Sequence, residues 1–186
     1  MLVALNSIFT EQANSIEENA KAVTHLLNYS STHSEAIKRY HTSGMILHIH
    51  SDASFLSDPG AKSRAGGYYY ISMASEDPKK YPPKQPPLNV TIHFECTTTR
   101  NFLASAMGAE LGAIFVNCQR GTPTCMELVE TVHAQPPNPV VRDSATGDGF
   151  VNYNIHQRRS RSIDMYFYWS RERVRQGQFL VYWMSG

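Results

Sequence analysis

The sequence predicts an α/β protein with a mixed sheet, in which three antiparallel strands precede parallel strands and helices pack on both faces. Alternating apolar segments dominate the chain from Gly44 to about residue 96. Segments with helical periodicity then alternate with short apolar segments that are typical of buried strands. The apolar fraction of 41% is large enough for a hydrophobic core, which excludes wholesale disorder.

Residues 1–43 are predicted to form a helical arm ahead of the sheet. Ser15 and Glu18 fit a capping box, and apolar residues follow at helical spacing, so a helix is expected over about residues 15–29. Ser34 to Tyr40 is a candidate for a second short helix. The apolar N-terminal segment lacks a basic region and a cleavage site, so no signal peptide is predicted. No segment has the roughly 20 apolar residues that a membrane helix needs.

Three strands are expected next. Met45 to Ser51 and Gly67 to Met73 are rich in strand-forming residues, and Asp58-Pro59-Gly60 marks a turn between them. Leu88 to Cys96 alternates again, with its apolar residues on one face. Residues 74–87 contain five prolines and three lysines, so they are predicted to form a long, exposed loop.

Two helices are predicted after the third strand. The first has an apolar stripe at helical spacing that consists of Leu103, Met107, Leu111, Ile114, Phe115 and Cys118. The second is expected to begin at Pro123, because proline suits the first turn of a helix. Its apolar residues are Met126, Val129 and Val132, and prolines from Pro136 onward end it.

The last predicted elements are a strand, a helix and a strand. Pro139 to Asp143 is expected to be a short strand that ends in the carboxylate of Asp143. Ile163 to Val174 is expected to be helical and to end near Gly177. Phe179 to Trp183 is predicted to be the final strand.

Charge and cysteine content exclude several classes of protein. The formal net charge is +1, so contact with nucleic acid has to come from a local patch. Cys96, Cys118 and Cys125 are too few and too scattered for a disulfide scaffold. None of them forms a CxxC motif, which excludes a cysteine-rich zinc site. They are typical of reduced thiols in an intracellular protein.

Two aspartates follow predicted strands, and a glutamate lies on the helix between them. If the strands that end at Asp52 and Asp143 are parallel neighbours, both carboxylates lie at the edge where ligands bind in open α/β sheets. Glu110, beside Leu111 of the apolar stripe, is able to reach the same point. Three converging carboxylates suit hard cations such as Mg²⁺. A single aspartate at a strand end is more often a turn residue or a helix cap, so the combination carries the hypothesis.

The segments that carry these carboxylates resemble the ribonuclease H domain of copia-type retrotransposon polyproteins. IHSDAS, which contains Asp52, resembles the first catalytic segment of the family, and SRAGGYYYIS is similar to its second strand. SAMGAELGA, which contains Glu110, is similar to the helix that bears the catalytic glutamate. RRSRSIDMYFYWSRERVRQGQF and the spacing from Asp143 to Asp164 resemble the copia branch. The resemblance runs from about Lys21 to Trp183.

The resemblance implies a ribonuclease H-like domain over residues 44–186 that cleaves the RNA strand of an RNA–DNA hybrid. It implies a two-magnesium mechanism, with Mn²⁺ as a substitute, in which Asp52, Glu110 and Asp143 are the catalytic metal ligands. Residues 1–43 are similar to the tail of the reverse transcriptase that precedes this domain. The implied partners are the hybrid and that reverse transcriptase, without a membrane. The implied location is intracellular: the cytoplasm, a retroelement particle or the nucleus.

The chain also departs from the family pattern. Ser144 stands where the copia branch usually has asparagine, and Asp148 stands where an apolar residue is usual. The fourth metal carboxylate of the family lies beyond the last strand, and this sequence stops at Gly186. Asp148 and Asp164 are candidate substitutes, although Asp164 also fits a structural partner for a nearby arginine. The alternative function is therefore a catalytically weak or inactive module that keeps the fold and binds nucleic acid.

Arginines are concentrated late in the chain, with seven of them against four acidic residues over residues 142–177. Interleaved aromatic residues make this segment a candidate for tracking a phosphate backbone. The alternative is a solvated helix face over an aromatic core. The candidate nucleic-acid contacts are Arg158, Arg159, Arg161, Ser54 and Ser144.

His48, His50 and Asp52 share one face of the predicted first strand. The segment HIHSD resembles the HxHxDH motif of metallo-β-lactamase-type hydrolases, but Ala53 replaces the histidine that the motif requires. A zinc hydrolase is therefore a third hypothesis, and partly buried strand histidines are the simpler interpretation. His50 is also expected to lie close enough to Asp52 to affect its affinity for protons.

Overall fold

The computed structural model describes residues 2–10, 16–58, 60–74, 82–99, 105–143 and 161–184. The chain forms two compact units, Met1–Arg39 and Tyr40–Gly186. Within the described residues, no helix is both long and apolar enough to span a membrane. Cys96, Cys118 and Cys125 are free thiols.

The N-terminal unit contains two helices, α1 (Leu2–Thr10) and α2 (Glu17–Thr32). Helix α1 was not expected from the sequence, whereas α2 confirms the helix predicted over about residues 15–29. The residue before α2 is Ile16, in extended conformation and without a side-chain cap, so the predicted N-cap at Ser15 is wrong. The groove between the helices is lined by Ala4, Ser7, Ile8, Asn19, Ala22, His25, Leu26 and Tyr29.

The predicted short helix from Ser34 to Tyr40 is wrong. The chain makes a turn at residues 33–35 and has no regular structure from there to residue 45. Ile37 is 83% exposed, so this segment has no apolar face to bury. Without tertiary packing, seven residues do not overcome the cost of helix nucleation.

The C-terminal unit contains a five-stranded mixed sheet with the strand order β3-β2-β1-β4-β5. The strands are β1 (Ile46–Asp58), β2 (Lys62–Ser72), β3 (Thr91–Thr98), β4 (Asn138–Arg142) and β5 (Phe179–Trp183). Strands β1, β2 and β3 pair antiparallel, while β4 is parallel to both β1 and β5. This architecture confirms the predicted mixed α/β fold.

Two helices of this unit, α3 (Ala106–Glu130) and α4 (Arg161–Arg175), pack on the same face of the sheet. Helix α4 confirms the predicted late helix, and Gly177 after it adopts a φ of 70°, which favours glycine. The core joins α3 to strands β1, β2, β4 and β5, and Trp169 and Val174 of α4 pack against it. Its buried members are Leu47, Ile49, Tyr69, Leu111, Ile114, Cys118, Leu128, Val140, Phe179 and Val181. Neither of these two described helices lies on the opposite face of the sheet, where a helix was also predicted.

The loop before β3 covers part of that opposite face. Pro83 is buried, and the Ser72 hydroxyl donates to the Pro87 carbonyl at 2.9 Å. The predicted long, exposed loop is therefore partly packed on the sheet over residues 82–90, while residues 75–81 lie outside the described part. Ile92 and Phe94 of β3 are 40% and 46% exposed, so the apolar face predicted for this strand is not in the core.

Strand β1 continues well beyond the residue at which it was expected to end. Asp52 pairs with Gly66 in the middle of β1, and the pairing shifts register only between Ser54 and Asp58. An ion pair holds this extension, with Arg64 Nη2 at 2.8 Å from Asp58 Oδ2. The predicted turn follows, with Gly60 at a φ of 77°. A short-range pattern does not reveal such an extension, because tertiary contacts hold it.

Helix α3 runs without interruption through Pro123, so the predicted start of a new helix there is wrong. Pro123 is exposed, and it has no N–H with which to donate to the Gln119 carbonyl. The apolar face predicted for the second helix is wrong as well. Met126 and Val129 are 58% and 51% exposed, and Val132, beyond the helix, is 91% exposed; Leu128 packs into the core.

Replacement of Pro123 by alanine is expected to raise the free energy of unfolding by about 1–2 kcal/mol. Alanine restores an N–H for the Gln119 carbonyl and removes the ring from the helix interior. The gain is reduced because proline also restricts the unfolded chain. Urea unfolding of both proteins measures the difference, and an unchanged or lower stability would contradict this account of the helix.

Candidate metal centre at the sheet edge

The three carboxylates predicted as metal ligands lie together where β4 ends beside β1. We call this place the sheet edge. One oxygen from each of Asp52, Glu110 and Asp143 lies within 4.8 Å of the other two. The parallel register pairs His50 with Val141, which places Asp52 and Asp143, two residues further along each segment, at the same level. The arrangement therefore results from the pairing of β1 with β4.

Helix α3 supplies the third carboxylate from its first turns. Ser105 caps this helix by accepting a hydrogen bond from the Gly108 N–H at 3.1 Å. The buried neighbours of Glu110, namely Ala109 and Leu111, fix the helix against the sheet. The Glu110 side chain therefore reaches the sheet edge from a rigid element.

A shallow cavity of about 250 Å³ opens beside the carboxylates. It is lined by His50, Ser51, Asp52, Gln85, Val141, Arg142, Asp143 and Met184. A larger cavity of about 440 Å³ lies between the end of β3 and α3, with Thr97, Phe115 and Tyr166 among its lining residues. None of the described residues that line this cavity is a carboxylate, so the candidate site is identified by its chemistry and not by its volume.

The surroundings of Glu110 shift the pKa of its carboxyl group strongly. Burial, which is the largest cause, and the negative charges of Asp143 and Asp52 together raise the pKa of Glu110 to about 7, while Arg142 opposes the increase. Glu110 Oε2 is buried and has no hydrogen-bond partner. Asp52 and Asp143 are exposed. A divalent cation would satisfy the buried oxygen and remove the repulsion, so these residues fit an oxygen-ligated ion.

We expect the stability of the metal-free protein to decrease as the pH rises. The pKa of Glu110 is about 7 in the folded protein and 4.5 in its ordinary state. Between these values the folded state keeps a proton that the unfolded chain has released, so the free energy of unfolding falls with increasing pH. The expected loss between pH 5 and pH 8 is about 1–2 kcal/mol, because solvent screens part of the interaction of this half-buried carboxyl. Urea unfolding in a chelator measures it, and an equal loss in Glu110→Gln would contradict the assignment to Glu110.

The histidines of β1 do not form a metal site with other described residues. His48 is fully buried, and its Nε2 lies 3.0 Å from the Met73 carbonyl. His50 Nε2 contacts the side-chain nitrogen of Gln85 and lies 3.3 Å from the Tyr70 hydroxyl. Burial lowers the pKa of both histidines. In the part of the chain that the structure describes, no group of three potential ligands includes either histidine, which favours the simpler interpretation of strand residues.

Among the remaining predicted site residues, Ser54 is the one whose side chain lies in the described part of the chain. Ser54 accepts a hydrogen bond from the Ser57 hydroxyl at 2.6 Å and does not line the cavity. Backbone positions in α4 are described for Arg161 and Asp164, but their side chains are not. The remaining predicted residues, Ser144, Asp148, Arg158 and Arg159, lie outside the described residues.

Sequence reasoning missed two residues of the site. Arg142 is 2% exposed and lines the cavity, although the sequence analysis counted it only as part of a basic segment. The available signal was a charged residue inside the apolar strand segment PVVRD. Gln85 reaches the cavity from the proline-rich loop and donates to the Tyr70 hydroxyl at 3.0 Å. No local pattern marks Gln85, because a distant loop places it there.

No protein-family model matches the chain, and no curated protein matches it. Among solved structures, the chain is similar to the LC11 ribonuclease H1 crystallised in complex with an RNA/DNA hybrid. The identity is 10%, the TM-score is 0.48, and 75% of this chain and 84% of that chain are covered. It is also similar to the N-terminal ribonuclease H domain of rv2228c from Mycobacterium tuberculosis, with 12% identity, a TM-score of 0.44 and coverage of 76% and 83%. Ribonuclease H1 from Halobacterium salinarum is similar as well, with 11% identity, a TM-score of 0.41 and coverage of 75% of this chain and 83% of that chain.

Proposed function

We propose that this protein is a metal-dependent endonuclease of the ribonuclease H type, which hydrolyses the RNA strand of an RNA–DNA hybrid. One observation carries the proposal: β1, α3 and β4 bring Asp52, Glu110 and Asp143 within 4.8 Å of one another. Their order along the chain is the order that the copia-type resemblance requires. Neither the metal nor the substrate follows from any one of these residues alone.

The carboxylates are suited to Mg²⁺ or Mn²⁺, because all the ligand atoms they offer are oxygens. We propose two ions, as the resemblance implies. Bound metal would supply a Lewis acid and an activated water for attack on the phosphodiester. Asp52 and Asp143 are exposed and Glu110 is half-buried, and together the three carboxylates would hold the ions.

The shape of the site favours a polymeric substrate. The cavity has a volume of only about 250 Å³, and the two carboxylates that line it, Asp52 and Asp143, are exposed. Drug-sized ligands usually occupy deeper pockets of 300–1,000 Å³. A nucleic-acid backbone lying across the sheet edge places one phosphate at the carboxylates while the remainder extends over the surface. The proposed contacts of that remainder are Arg158, Arg159, Arg161, Ser54 and Ser144.

We further propose that the chain comes from a copia-type element. In this proposal, residues 44–186 are the nuclease domain, and residues 1–43 correspond to the tail of a reverse transcriptase. The reverse transcriptase portion of the same polyprotein is then the natural protein partner. Cross-linking of that portion to residues 1–43 tests this part separately from the chemistry.

Cleavage of an end-labelled RNA–DNA hybrid tests the proposed activity. We expect cleavage of the RNA strand in Mg²⁺ or Mn²⁺ and no cleavage in chelator. Duplex DNA and duplex RNA of the same sequence serve as matched substrates and are expected to remain intact. A folded protein that leaves the hybrid intact with both metals would exclude the enzyme.

The second candidate function is a hybrid-binding module with weak or no catalytic activity. The buried cation Arg142 beside the carboxylates favours it, because positive charge opposes the binding of metal. Salt-dependent binding of the hybrid without cleavage would support this second function.

A further inference from the structure

A buried positive charge, that of Arg142, lies beside the carboxylate cluster. We propose that Arg142 stabilises the metal-free protein and lowers the affinity of the cluster for divalent cations, so that the site binds metal more weakly than three carboxylates alone would. This inference deepens the proposed function and rests on it for the identity of the ligands. It concerns a residue that the copia-type resemblance does not include in the site.

The backbone fixes Arg142 at the sheet edge. It is the last residue of β4 and directly precedes Asp143, and it pairs with Trp183 of β5. Its carbonyl accepts a hydrogen bond from the Met184 N–H at 3.0 Å, which extends the β4–β5 pairing past the end of β5. The residue lines the same cavity as Asp52 and Asp143. Its position relative to the carboxylates therefore does not depend on a mobile loop.

The side chain is buried, and its charge is permanent. Arg142 is 2% exposed, and its three guanidinium nitrogens are shielded from solvent. A guanidinium does not lose its proton in a protein, and a buried one requires nearby negative charge. Glu110 supplies such charge, and Arg142 lies close enough to it to oppose the rise in the pKa of that carboxyl.

The sign of the effect follows from the charges. With Glu110 ionised, the three carboxylates carry a charge of −3, and Arg142 reduces the total to −2. A metal ion that enters the cluster gains attraction from the carboxylates and meets repulsion from the guanidinium. Loss of the guanidinium charge is expected to tighten binding by roughly tenfold, which is a conservative value for two charges within one site at an effective dielectric constant of about 20.

Calorimetric titration with Mn²⁺ at pH 8, where Glu110 is ionised, tests the inference. Arg142→Met removes the charge and keeps much of the side-chain volume, while Arg142→Lys keeps the charge. We expect Arg142→Met to bind Mn²⁺ about tenfold more tightly than wild type and Arg142→Lys to bind within about twofold of it. Arg175→Met, which removes an exposed arginine of α4, is the matched control and is expected to bind as wild type does.

Thermal unfolding provides a second measurement that does not require activity. Without metal, Arg142→Met is expected to unfold at a lower temperature than wild type, because the carboxylates then repel one another without compensation. Saturating Mn²⁺ is expected to raise its midpoint by more than it raises that of wild type. If Arg142→Met does not fold under either condition, Arg142→Gln replaces it with the same expectations.

The outcomes separate this inference from the proposed function. Equal Mn²⁺ affinity in wild type and Arg142→Met would overturn the inference and leave the metal-dependent nuclease intact. Binding by Arg142→Met but not by wild type would support the inference and count against catalysis by the natural sequence. Absence of binding in both proteins would overturn both.

Discussion

Replacement of Asp52 or Asp143 by asparagine is expected to reduce hybrid cleavage by at least about 1,000-fold while the protein remains folded. Asparagine keeps the size of the side chain but removes the negative charge that holds a divalent cation. Both aspartates are exposed and close to other carboxylates. Their neutralisation therefore relieves repulsion in the metal-free protein instead of disrupting the core. Single-turnover cleavage of the labelled hybrid at saturating Mg²⁺ measures the rate.

A carboxylate elsewhere on α3 provides the matched control for this prediction. Glu130 is exposed at the end of the helix that carries Glu110. Glu130→Gln makes the same chemical change away from the sheet edge, and its cleavage rate is expected to equal that of wild type. If Asp52→Asn or Asp143→Asn cleaved as fast as Glu130→Gln, that aspartate would not be a catalytic ligand. Thermal unfolding of each variant excludes loss of the fold as the cause.

The largest expected effect on stability comes from replacing Gly67 by alanine. A Cβ atom at this position would collide with Asn117 Oδ1 and lie 2.9 Å from Tyr69 Cε2. Asn117 is fully buried and cannot move without cost. Its side-chain nitrogen donates to Ser51 Oγ and to the Gly66 carbonyl, each at 2.8 Å. The Tyr69 hydroxyl donates to Asn117 Oδ1 at 2.8 Å.

We therefore expect Gly67→Ala to lower the free energy of unfolding by about 3–5 kcal/mol. This range combines the strain of overpacking with the loss of buried hydrogen bonds. The neighbouring Gly66→Ala is the matched control, because its Cβ would meet no atom closer than 3.7 Å. Its stability is expected to stay within about 1 kcal/mol of wild type. Similar urea midpoints for the two variants would show that Asn117 does not constrain this part of β2.

The elements that could be predicted from the sequence are those whose signals are local. Alternation in the segment around Tyr69 and the apolar residues of β5 identified their strands without tertiary information. Gly60 and Gly177 predicted where the chain turns. Both residues adopt positive φ values, which glycine tolerates better than other residues do. Helix α4 was predicted over Ile163 to Val174 and is observed over Arg161–Arg175.

The errors fall where a distant contact overrides a local signal. Pro123 is a strong start signal for a helix, yet α3 continues through it because core residues on either side, including Cys118 and Leu128, pack on the sheet. Strand β1 continues past Asp52 because Asp58 is held by Arg64 and by the Thr98 hydroxyl at 2.8 Å. When local helix or strand propensity and tertiary packing disagree, the packing contributes more free energy and decides the structure.

In the candidate site, too, some features were predicted from the sequence and others were decided by the tertiary structure. Local sequence and the copia-type resemblance singled out Asp52, Glu110 and Asp143 as carboxylates that belong together. Their roles in catalysis remain a prediction that the asparagine variants test.

Only the tertiary structure decided what surrounds these carboxylates. The parallel pairing of β1 with β4 sets their spacing, and the burial of Arg142 adds an opposing charge. The packing of the proline-rich loop brings Gln85 against His50. The physical reason is that composition and periodicity report the environment of a residue along the chain. The pKa of Glu110 and the net charge of the site depend instead on distances between residues that are remote in sequence.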